Sequence, residues 1–248
     1  MSYKKYFCLS FDDGLEQDKK IIKILKEYDL KGCTFNLNGG LMGQKKAIGR
    51  IGDIGFTEKE DLSVLKKKGL VVHYAQDYRI PADEIAQVYE GFEVASHAYR
   101  HENLKKLSVQ QLDETIRQDV ESLKRLTGQD IVGFAYPYGA VSEEAVSVLK
   151  KYGIRYARTT GATKKFALPK DPYRLDATCL LIQKDVLTLA QRFIDAPLAE
   201  EDQLFYVWGH GYELDFGTKN SNWEKFKKLC GLMAGAKDVI SLPYGWIS

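Results

Sequence analysis

Cys8-Leu9-Ser10-Phe11-Asp12-Asp13-Gly14 is an apolar, strand-like run that ends abruptly in two adjacent carboxylates and a glycine. Successive side chains of a strand point to opposite faces, so neighbouring acids can converge only where the strand breaks. Gly14 supplies such a break because glycine adopts backbone angles that other residues avoid. An ordinary Asp-Gly turn at the end of a strand accounts for the same residues equally well.

Histidines are scarce in this chain, and two of the four lie four residues apart, at His97 and His101. On a helical turn this spacing places both imidazoles on one side, where they can hold one divalent cation. A short strand over 92–95 precedes them, and His210 ends the apolar run 204–208. Three predicted strand ends therefore carry most of the groups able to bind metal or move protons. The alternative is a surface histidine pair beside a turn acid.

These residues resemble the motifs of the polysaccharide deacetylase family, carbohydrate esterase family four, whose members are metal-dependent enzymes that remove N-acetyl groups from glycans. Phe11-Asp12-Asp13-Gly14 matches the first motif of the family, and His97 to His101 matches the second. Ala135-Tyr136-Pro137-Tyr138-Gly139 resembles the third motif, and Trp208-Gly209-His210 resembles the last. The four matches occur in family order and span most of the chain.

The resemblance implies that Asp13, His97 and His101 hold one divalent metal ion, with Zn²⁺ expected ahead of Co²⁺ or Ni²⁺. Asp12 is then the general base that takes a proton from water, although spacing alone does not say which aspartate faces the metal. A Zn²⁺ ion with three protein ligands lowers the pKa of its bound water to about 7 and polarises the carbonyl.

His210 is the candidate general acid that protonates the departing sugar nitrogen, because amines leave poorly without a proton. Tyr138 is the candidate donor of a backbone N–H to the oxyanion, on a loop shaped by Pro137 and Gly139. For each residue a structural role is the alternative: a lone histidine after a strand is often structural, and Pro-Tyr-Gly is common turn material.

Three further residues are predicted to lie at the substrate pocket: Trp208, Asp176 and Tyr136. Trp208 falls where the family usually carries a leucine against the acetyl methyl group, and a buried core tryptophan is the alternative. The fourth family motif pairs an aspartate with a tryptophan, and this sequence keeps only the aspartate, Asp176. It is expected to tune His210, to hold a substituted arginine, or to cap a turn.

One departure from the family pattern concerns the base. The third motif normally carries an arginine that orients the base aspartate, and Ala135 occupies that position here. Arg158 and Arg174, both near predicted strand ends, are the candidates to replace it from elsewhere in the chain.

Strand and helix signals alternate along the chain, which favours a parallel sheet covered by helices. Candidate site residues at several strand ends favour a closed, TIM-barrel-like form, and the resemblance implies a distorted (β/α)7 barrel. No linker or repeat divides the chain, so one domain over 1–248 is expected. Residues 39–56 are predicted to be a long loop or an insertion near the site, Thr57 to Lys68 a capped helix, and His73 a structural residue. Helices are also predicted over Ala82 to Tyr89 and over Val109 to Leu126, the second with Ser108 as its N-cap, and a strand is predicted over Leu175 to Ile182.

Composition limits the class of protein. With 248 residues, 44% hydrophobic content and a net charge of +2, the chain can bury a core and has no signature of nucleic-acid binding. No apolar stretch suggests a signal peptide or a membrane span, and the four widely spaced cysteines indicate free thiols. We therefore expect a cytoplasmic protein, which contrasts with relatives that act on cell-wall polymers.

The sequence leaves three functions open. The first is hydrolysis of an N-acetyl group on an amino-sugar glycan, which makes acetylated carbohydrate the expected partner. The second is an amidase or deacetylase of a small intracellular metabolite. The third is a carbohydrate-binding protein with impaired catalysis, for which the missing arginine at Ala135 is the support.

Overall fold

The structure is a computed structural model that describes residues 3–51, 55–57, 72–198 and 200–247. Its central strand is β1 (Lys5–Asp12), which is buried along almost its whole length. On one side β1 pairs in parallel with β11 (Gln203–His210), and on the other with β2 (Cys33–Leu37). In this register Asp12 lies beside His210 and beside Asn36, so three polar residues meet at one edge of the sheet.

Parallel strands continue around the sheet in the order β10-β11-β1-β2-β6-β7-β8-β9, with β12 beside the first half of β1. The remaining strands of this sheet are β6 (Glu93–Ser96), β7 (Gly133–Ala135), β8 (Tyr156–Ala162), β9 (Leu175–Ala177), β10 (Cys179–Leu180) and β12 (Val239–Ser241). Only Thr178 separates β9 from β10, and its N–H donates to the carbonyl of Tyr206 on β11 at 2.8 Å. The two ends of the sheet therefore approach each other, and the predicted barrel is confirmed.

Six helices of the described residues accompany the barrel: α1 (Gln17–Glu27), α2 (Ile85–Val88), α3 (Val109–Thr127), α4 (Glu143–Lys151), α5 (Val186–Asp195) and α6 (Trp223–Gly235). The longest, α3, begins as predicted at Ser108, whose hydroxyl accepts from the Gln111 N–H while the Gln111 side chain accepts from the Ser108 N–H. This reciprocal cap satisfies two backbone donors at the helix start. None of the described helices has the length and apolar character needed to cross a membrane.

Two hydrophobic clusters lie on opposite faces of β1, one toward the helices and one inside the barrel. Phe7, Leu9 and Phe11 of β1 belong to the large core cluster that includes the apolar faces of the helices, whereas Cys8 belongs to a second cluster with aromatic residues of neighbouring strands. Because strand side chains alternate, Asp12 shares the inner face with Cys8. The same alternation that buries the core thus directs the acid into the barrel.

Part of the segment 39–56, predicted to be a long loop or an insertion near the site, belongs to a separate antiparallel sheet, so the loop prediction is wrong for those residues. Strand β3 (Lys45–Ile51) pairs with β4 (Gly55–Thr57) and with β5 (Val72–Tyr78). Gly49 suggested a loop, yet inside β3 it pairs with both neighbours, since glycine weakens a strand without ending it. The predicted helix after Thr57 lies outside the described residues. His73 lies on β5 opposite Arg50.

Two other predicted elements are shorter than expected. The predicted strand over Leu175 to Ile182 divides at Thr178, where the chain passes from β9 to β10. The predicted helix over Ala82 to Tyr89 is helical only over Ile85–Val88. Pro81 begins a turn instead, in which the Glu84 N–H donates to the Pro81 carbonyl.

Candidate active site

The two carboxylates of the first motif sit where β1 breaks. Asp12 ends the strand, and Asp13 and Gly14 follow with φ angles of 84° and 66°, in the left-handed region. A Cβ atom on Gly14 would lie 2.9 Å from Leu37, so glycine suits this position for space as well as for backbone angle. A strained non-glycine residue such as Asp13 costs stability and is typical of functional sites. This break brings both acids to the same end of the barrel.

His97 and His101 converge through a tight turn and not through the predicted helical turn. Residues 97–101 are not helical, and Ala98 and His101 both have φ angles of 59°. The Asn38 amide donates to the carbonyls of His97 and Ala98, which fixes the turn, and the two imidazole rings lie 4.8 Å apart. The prediction of a helix is wrong because spacing alone cannot reveal left-handed residues.

Asp13, His97 and His101 form a group able to hold a metal ion, with ligand atoms all within 4.8 Å of one another. The Oδ1 atom of Asp13 lies 4.0 Å from Nε2 of His97 and 3.9 Å from Nε2 of His101. One carboxylate and two imidazoles are the donor types that zinc prefers. The sequence-predicted ligand set is therefore brought together, and its chemistry fits a divalent cation.

A hydrogen bond at the second ring nitrogen, Nδ1, orients His97 to bind a metal ion through Nε2. Nδ1 lies 2.7 Å from the carbonyl oxygen of Ala135, which requires a proton on Nδ1 and leaves the Nε2 lone pair toward Asp13. Burial lowers the pKa of His97 to about 4, although the nearby Asp12 and Asp13 carboxylates oppose this shift. The ring is therefore neutral near pH 7, as a metal ligand must be.

The Asp12 carboxylate is held by two donors. Its Oδ1 atom accepts from Nη2 of Arg158 at 2.5 Å and from Nδ2 of Asn36 at 2.8 Å. Burial by itself would raise the pKa of Asp12, but the charge of Arg158 and the nearby histidines lower it to about 2. Oδ2 lies 3.9 Å from Nε2 of His97, at the margin of the metal-binding group. Asp12 thus stays ionised, with one oxygen anchored and the other directed to the site.

Arg158 reaches Asp12 from the strand position next to Ala135. In the parallel pair of β7 and β8, Ala135 and Arg158 are register partners, and both are almost completely buried. Arg158 also donates from Nε to the Ser10 hydroxyl and from Nη1 to the Thr159 carbonyl. Arg174, the other candidate, instead contacts Asp171 and Glu143. The arginine therefore comes from the adjacent strand.

Asp13 has an arginine of its own, which the sequence did not suggest. Nη2 of Arg79, the residue directly after β5, lies 3.2 Å from Oδ1 of Asp13. Burial opposes ionisation of Asp13, yet Arg79 and His210 hold its pKa below the ordinary value. No sequence motif marks Arg79, because only the path of the preceding antiparallel sheet brings it to the site.

Asp119 on α3 is another site residue that the sequence left unmarked. Its carboxylate accepts from the Ser96 hydroxyl at 2.6 Å, the His97 N–H at 3.2 Å and the Gly39 N–H at 2.6 Å. It thereby ties α3 to the ends of β6 and β2. A lone acid on an amphipathic helix resembles many solvated acids, so only its burial distinguishes it.

His210 faces the same group from the opposite side. Its Nε2 atom lies 3.9 Å from Oδ2 of Asp13, and its Nδ1 atom lies 3.4 Å from Oε1 of Glu213. Burial would lower the pKa of His210, but the hydrogen bond and charge of Glu213, followed by Asp13 and Asp12, raise it to about 9. The ring is therefore protonated near neutral pH and able to donate a proton.

The two tyrosines of the third motif are placed very differently. Tyr138 has a φ angle of 59°, is 66% exposed, and its ring lies 4.7 Å from that of His101. Tyr136 is buried in the large core, and its hydroxyl donates to the Tyr173 carbonyl at 3.0 Å. The structure therefore brings Tyr138 to the site and leaves Tyr136 in the core.

Trp208 and Asp176, the other two residues predicted for the substrate pocket, lie in different surroundings. Trp208 is buried, with the Arg158 guanidinium 4.5 Å from its ring centroid and the His210 ring 5.7 Å away. It therefore packs beneath the site against two of its residues. Asp176 is exposed and accepts a hydrogen bond from Thr159.

Sequence comparison identifies the family to which this arrangement corresponds. The sequence model of the family described as "Polysaccharide deacetylase" matches residues 2–157. The chain belongs to the polysaccharide deacetylase family. The matched segment includes both aspartates, the histidine pair and the Tyr138 turn, whereas His210 and Glu213 lie beyond it.

Two curated relatives cover only part of this sequence. A peptidoglycan deacetylase-like protein of Gibberella zeae is 24% identical over 162 residues, which are 58% of this chain and 45% of the relative. A peptidoglycan deacetylase of Helicobacter pylori is 33% identical over 66 residues, 27% of this chain and 22% of the relative. The chain thus spans less than half the length of the curated relatives it matches.

Solved structures support the fold. A family 4 carbohydrate esterase from Streptomyces lividans, in complex with acetate, has a TM-score of 0.56 at 16% identity, covering 95% of this chain and 91% of that chain. A family 4 pseudoenzyme from Bacillus anthracis also has a TM-score of 0.56, at 18% identity, covering 99% of this chain and 66% of that chain. Both the esterase and the pseudoenzyme share the barrel.

Proposed function

We propose that this protein is a divalent-metal-dependent N-deacetylase that acts on an acetylated amino-sugar glycan and releases acetate. The observation that carries the proposal is the convergence of Asp13, His97 and His101 beside an ionised Asp12. Membership of the polysaccharide deacetylase family supports the substrate class, as do the two curated relatives, a peptidoglycan deacetylase and a peptidoglycan deacetylase-like protein.

The metal would be held by Oδ1 of Asp13 and by Nε2 of His97 and His101. When bound, a Zn²⁺ ion would polarise the amide carbonyl and would lower the pKa of a bound water molecule to about 7. The residues around it supply the remaining requirements. Asp13 is ionised, His97 is neutral, and hydrogen bonds from Asn38 and to Asp119 fix the turn that carries the first histidine.

In the first step water adds to the carbonyl carbon of the acetamide, and Oδ2 of Asp12 takes the proton that this water loses. Arg158 and Asn36 hold Oδ1, so the carboxylate cannot rotate away from the reacting water. The Tyr138 turn is proposed to donate its backbone N–H to the oxygen that becomes negative.

In the second step the C–N bond breaks, and the sugar nitrogen takes a proton from Nε2 of His210. The carbonyl re-forms, and exchange with solvent removes the proton from Asp12 and returns one to His210, so that one amide and one water yield acetate and a protonated sugar amine. His210 is positioned for this transfer because its Nε2 faces Asp13, and its raised pKa keeps the proton available near pH 7.

The carbohydrate-binding alternative rested on the missing arginine at Ala135. The contact between Arg158 and Asp12 removes that support, because the base has its arginine from the neighbouring strand. Among the residues that the structure describes, no feature of the site favours a small metabolite over a glycan, so we retain the glycan as the proposed substrate.

Acetate release from a chito-oligosaccharide tests the proposal. We expect release by the metal-loaded protein, loss of release with a chelator, and recovery with Zn²⁺ or Co²⁺. Asp12→Asn is the matched control, because it keeps the shape of the side chain and removes the proton acceptor. Release that is absent from loaded protein, or that ignores the chelator, contradicts the proposal.

A further inference from the structure

We propose that Glu213 is the positioning residue for His210, so that proton delivery to the leaving nitrogen depends on a carboxylate three residues further along the chain. This inference rests on the proposed function. The Glu213 side chain lies in a 3-10 helical segment over Gly211–Phe216, directly after β11, outside the segment matched by the family model.

Glu213 holds His210 at two points. Its Oε2 atom accepts from the backbone N–H of His210 at 3.1 Å, and its Oε1 atom lies 3.4 Å from the ring nitrogen Nδ1. The carboxylate therefore fixes both the start of the segment and the orientation of the ring. With Nδ1 directed at Glu213, the opposite nitrogen, Nε2, must face Asp13, where it lies 3.9 Å from Oδ2.

The surroundings are built around this carboxylate. Glu213 is 2% exposed, and its backbone carbonyl accepts from the hydroxyl of the equally buried Ser221. A Cβ atom on Gly209 would lie 2.9 Å from Oε2 of Glu213, so the glycine of Trp208-Gly209-His210 leaves room for the acid. The His210 ring also stacks on Tyr212 at 5.1 Å. A buried charge that served no partner would be costly here.

Asp176 was the sequence candidate for this role. It is exposed and bonded to Thr159, whereas Glu213 contacts the ring directly. The partner of His210 therefore comes from the 3-10 segment that directly follows it. The sequence does not show that residues 211–216 return toward the His210 ring.

The role predicts a dependence on the leaving group. In an acetamide the C–N bond breaks only as nitrogen receives the proton from Nε2, after which the neutral ring keeps its Nδ1 proton on Glu213. In 4-nitrophenyl acetate the C–O bond breaks with departure of a stable nitrophenolate anion, which needs no proton. Loss of Glu213 should therefore slow amide cleavage and spare cleavage of the aryl ester.

We would measure kcat of the Zn²⁺-loaded enzyme on a chito-oligosaccharide and on 4-nitrophenyl acetate. For Glu213→Gln we expect kcat on the glycan to fall at least about tenfold, up to the 10²–10⁴ that acid–base catalysis typically contributes, and kcat on the ester to change less than about threefold. In a His210→Ala background the same substitution should have no further effect, because it acts through that ring. Asp215→Asn is the matched control, since this acid of the same segment binds Gln17 and Trp223.

Equal losses on both substrates, or an undiminished effect without His210, would overturn the inference. A separate measurement does not depend on turnover: ¹⁵N–¹H NMR of the histidine ring should show a hydrogen-bonded Nδ1 proton that disappears in Glu213→Gln. If the wild type releases no acetate from the glycan, the proposed function fails. The NMR result still decides whether Glu213 holds the ring.

Discussion

Arg158 and Asp12 form a buried ion pair that joins β8 to β1 across the inside of the barrel, with Nη2 and Oδ1 2.5 Å apart. Both side chains are almost fully withdrawn from water. Removing one partner of such a pair leaves the other charge buried and unpaired. This destabilises the folded protein by more than the intact pair stabilises it. The pair therefore links the stability of the barrel to the orientation of its candidate base.

Arg158→Met should damage both stability and activity. We expect the free energy of unfolding to fall by about 3 kcal/mol, because the Asp12 charge is left buried without its cation. Acetate release should fall by about 10² as the base loses its orientation. Urea unfolding and an acetate assay measure the two effects.

The matched control is Arg174→Met, which removes an arginine from the partly exposed pairs with Asp171 and Glu143. Exposed pairs contribute at most about 1 kcal/mol, so this variant should stay close to the wild type. Similar behaviour of the two variants would contradict the role assigned to Arg158.

An arginine placed at position 135, on the adjacent strand, should restore part of the activity that Arg158→Ala removes. Ala135 and Arg158 are register partners on adjacent parallel strands, so a long side chain at 135 starts on the same face. We expect Ala135→Arg in the Arg158→Ala background to regain activity over the single variant. Ala135→Met in that background is the control for bulk without charge. Equal activity of these two double variants would exclude a restored ion pair.

Zn²⁺ affinity should distinguish the roles of the two aspartates, Asp12 and Asp13. Asp12→Asn should retain Zn²⁺ and lose turnover, because Arg158 and Asn36 already occupy Oδ1 and the residue lies outside the ligand group. His97→Ala should lose more affinity than the roughly 10- to 100-fold typical of an outer-shell change. Isothermal titration calorimetry with Zn²⁺ measures both. Loss of metal in Asp12→Asn, with retention in Asp13→Asn, would reverse the proposed roles.

A buried acid away from the ligand group should make stability depend on pH. Burial raises the pKa of Asp18 to about 8, although hydrogen bonds from the Tyr89 hydroxyl and the Leu15 N–H oppose the shift. The folded protein therefore keeps a proton that the unfolded chain loses near its ordinary value of 3.8. Stability from this group is complete below about pH 4 and falls by about 1.4 kcal/mol per pH unit up to about pH 8.

Asp18→Asn removes that titration, so its stability relative to the wild type should increase as the pH rises from 5 to 8. Asp29→Asn is the control, because Asp29 is an exposed carboxylate in a left-handed position that asparagine tolerates. Urea unfolding at several pH values provides the comparison. A difference between Asp18→Asn and the wild type that stays constant with pH would show that Asp18 is ionised in the folded state.

The sequence predicted the parts of this protein that depend on local patterns. Apolar runs marked β1 and β11, and Ser108 marked the start of α3 as its N-cap residue. The motif residues Asp13, His97 and His101 came together as a group, because the carboxyl ends of parallel strands meet at one edge. Predictions failed where a glycine lay inside a strand, in β3, and where left-handed residues formed the histidine turn.

Sequence by itself determined the alternation of strands and helices behind the barrel, through its hydrophobic periodicity, and it marked the ligand triad through motifs that resemble those of the family. Only the tertiary structure decided which groups control those ligands and their neighbours. Arg158, Arg79, Asp119 and Glu213 act through contacts that depend on strand register and on folded-back segments. A buried charge is stabilised by any donor or acceptor that the fold places within hydrogen-bond distance. The separation of two residues along the sequence does not show whether the fold brings them that close.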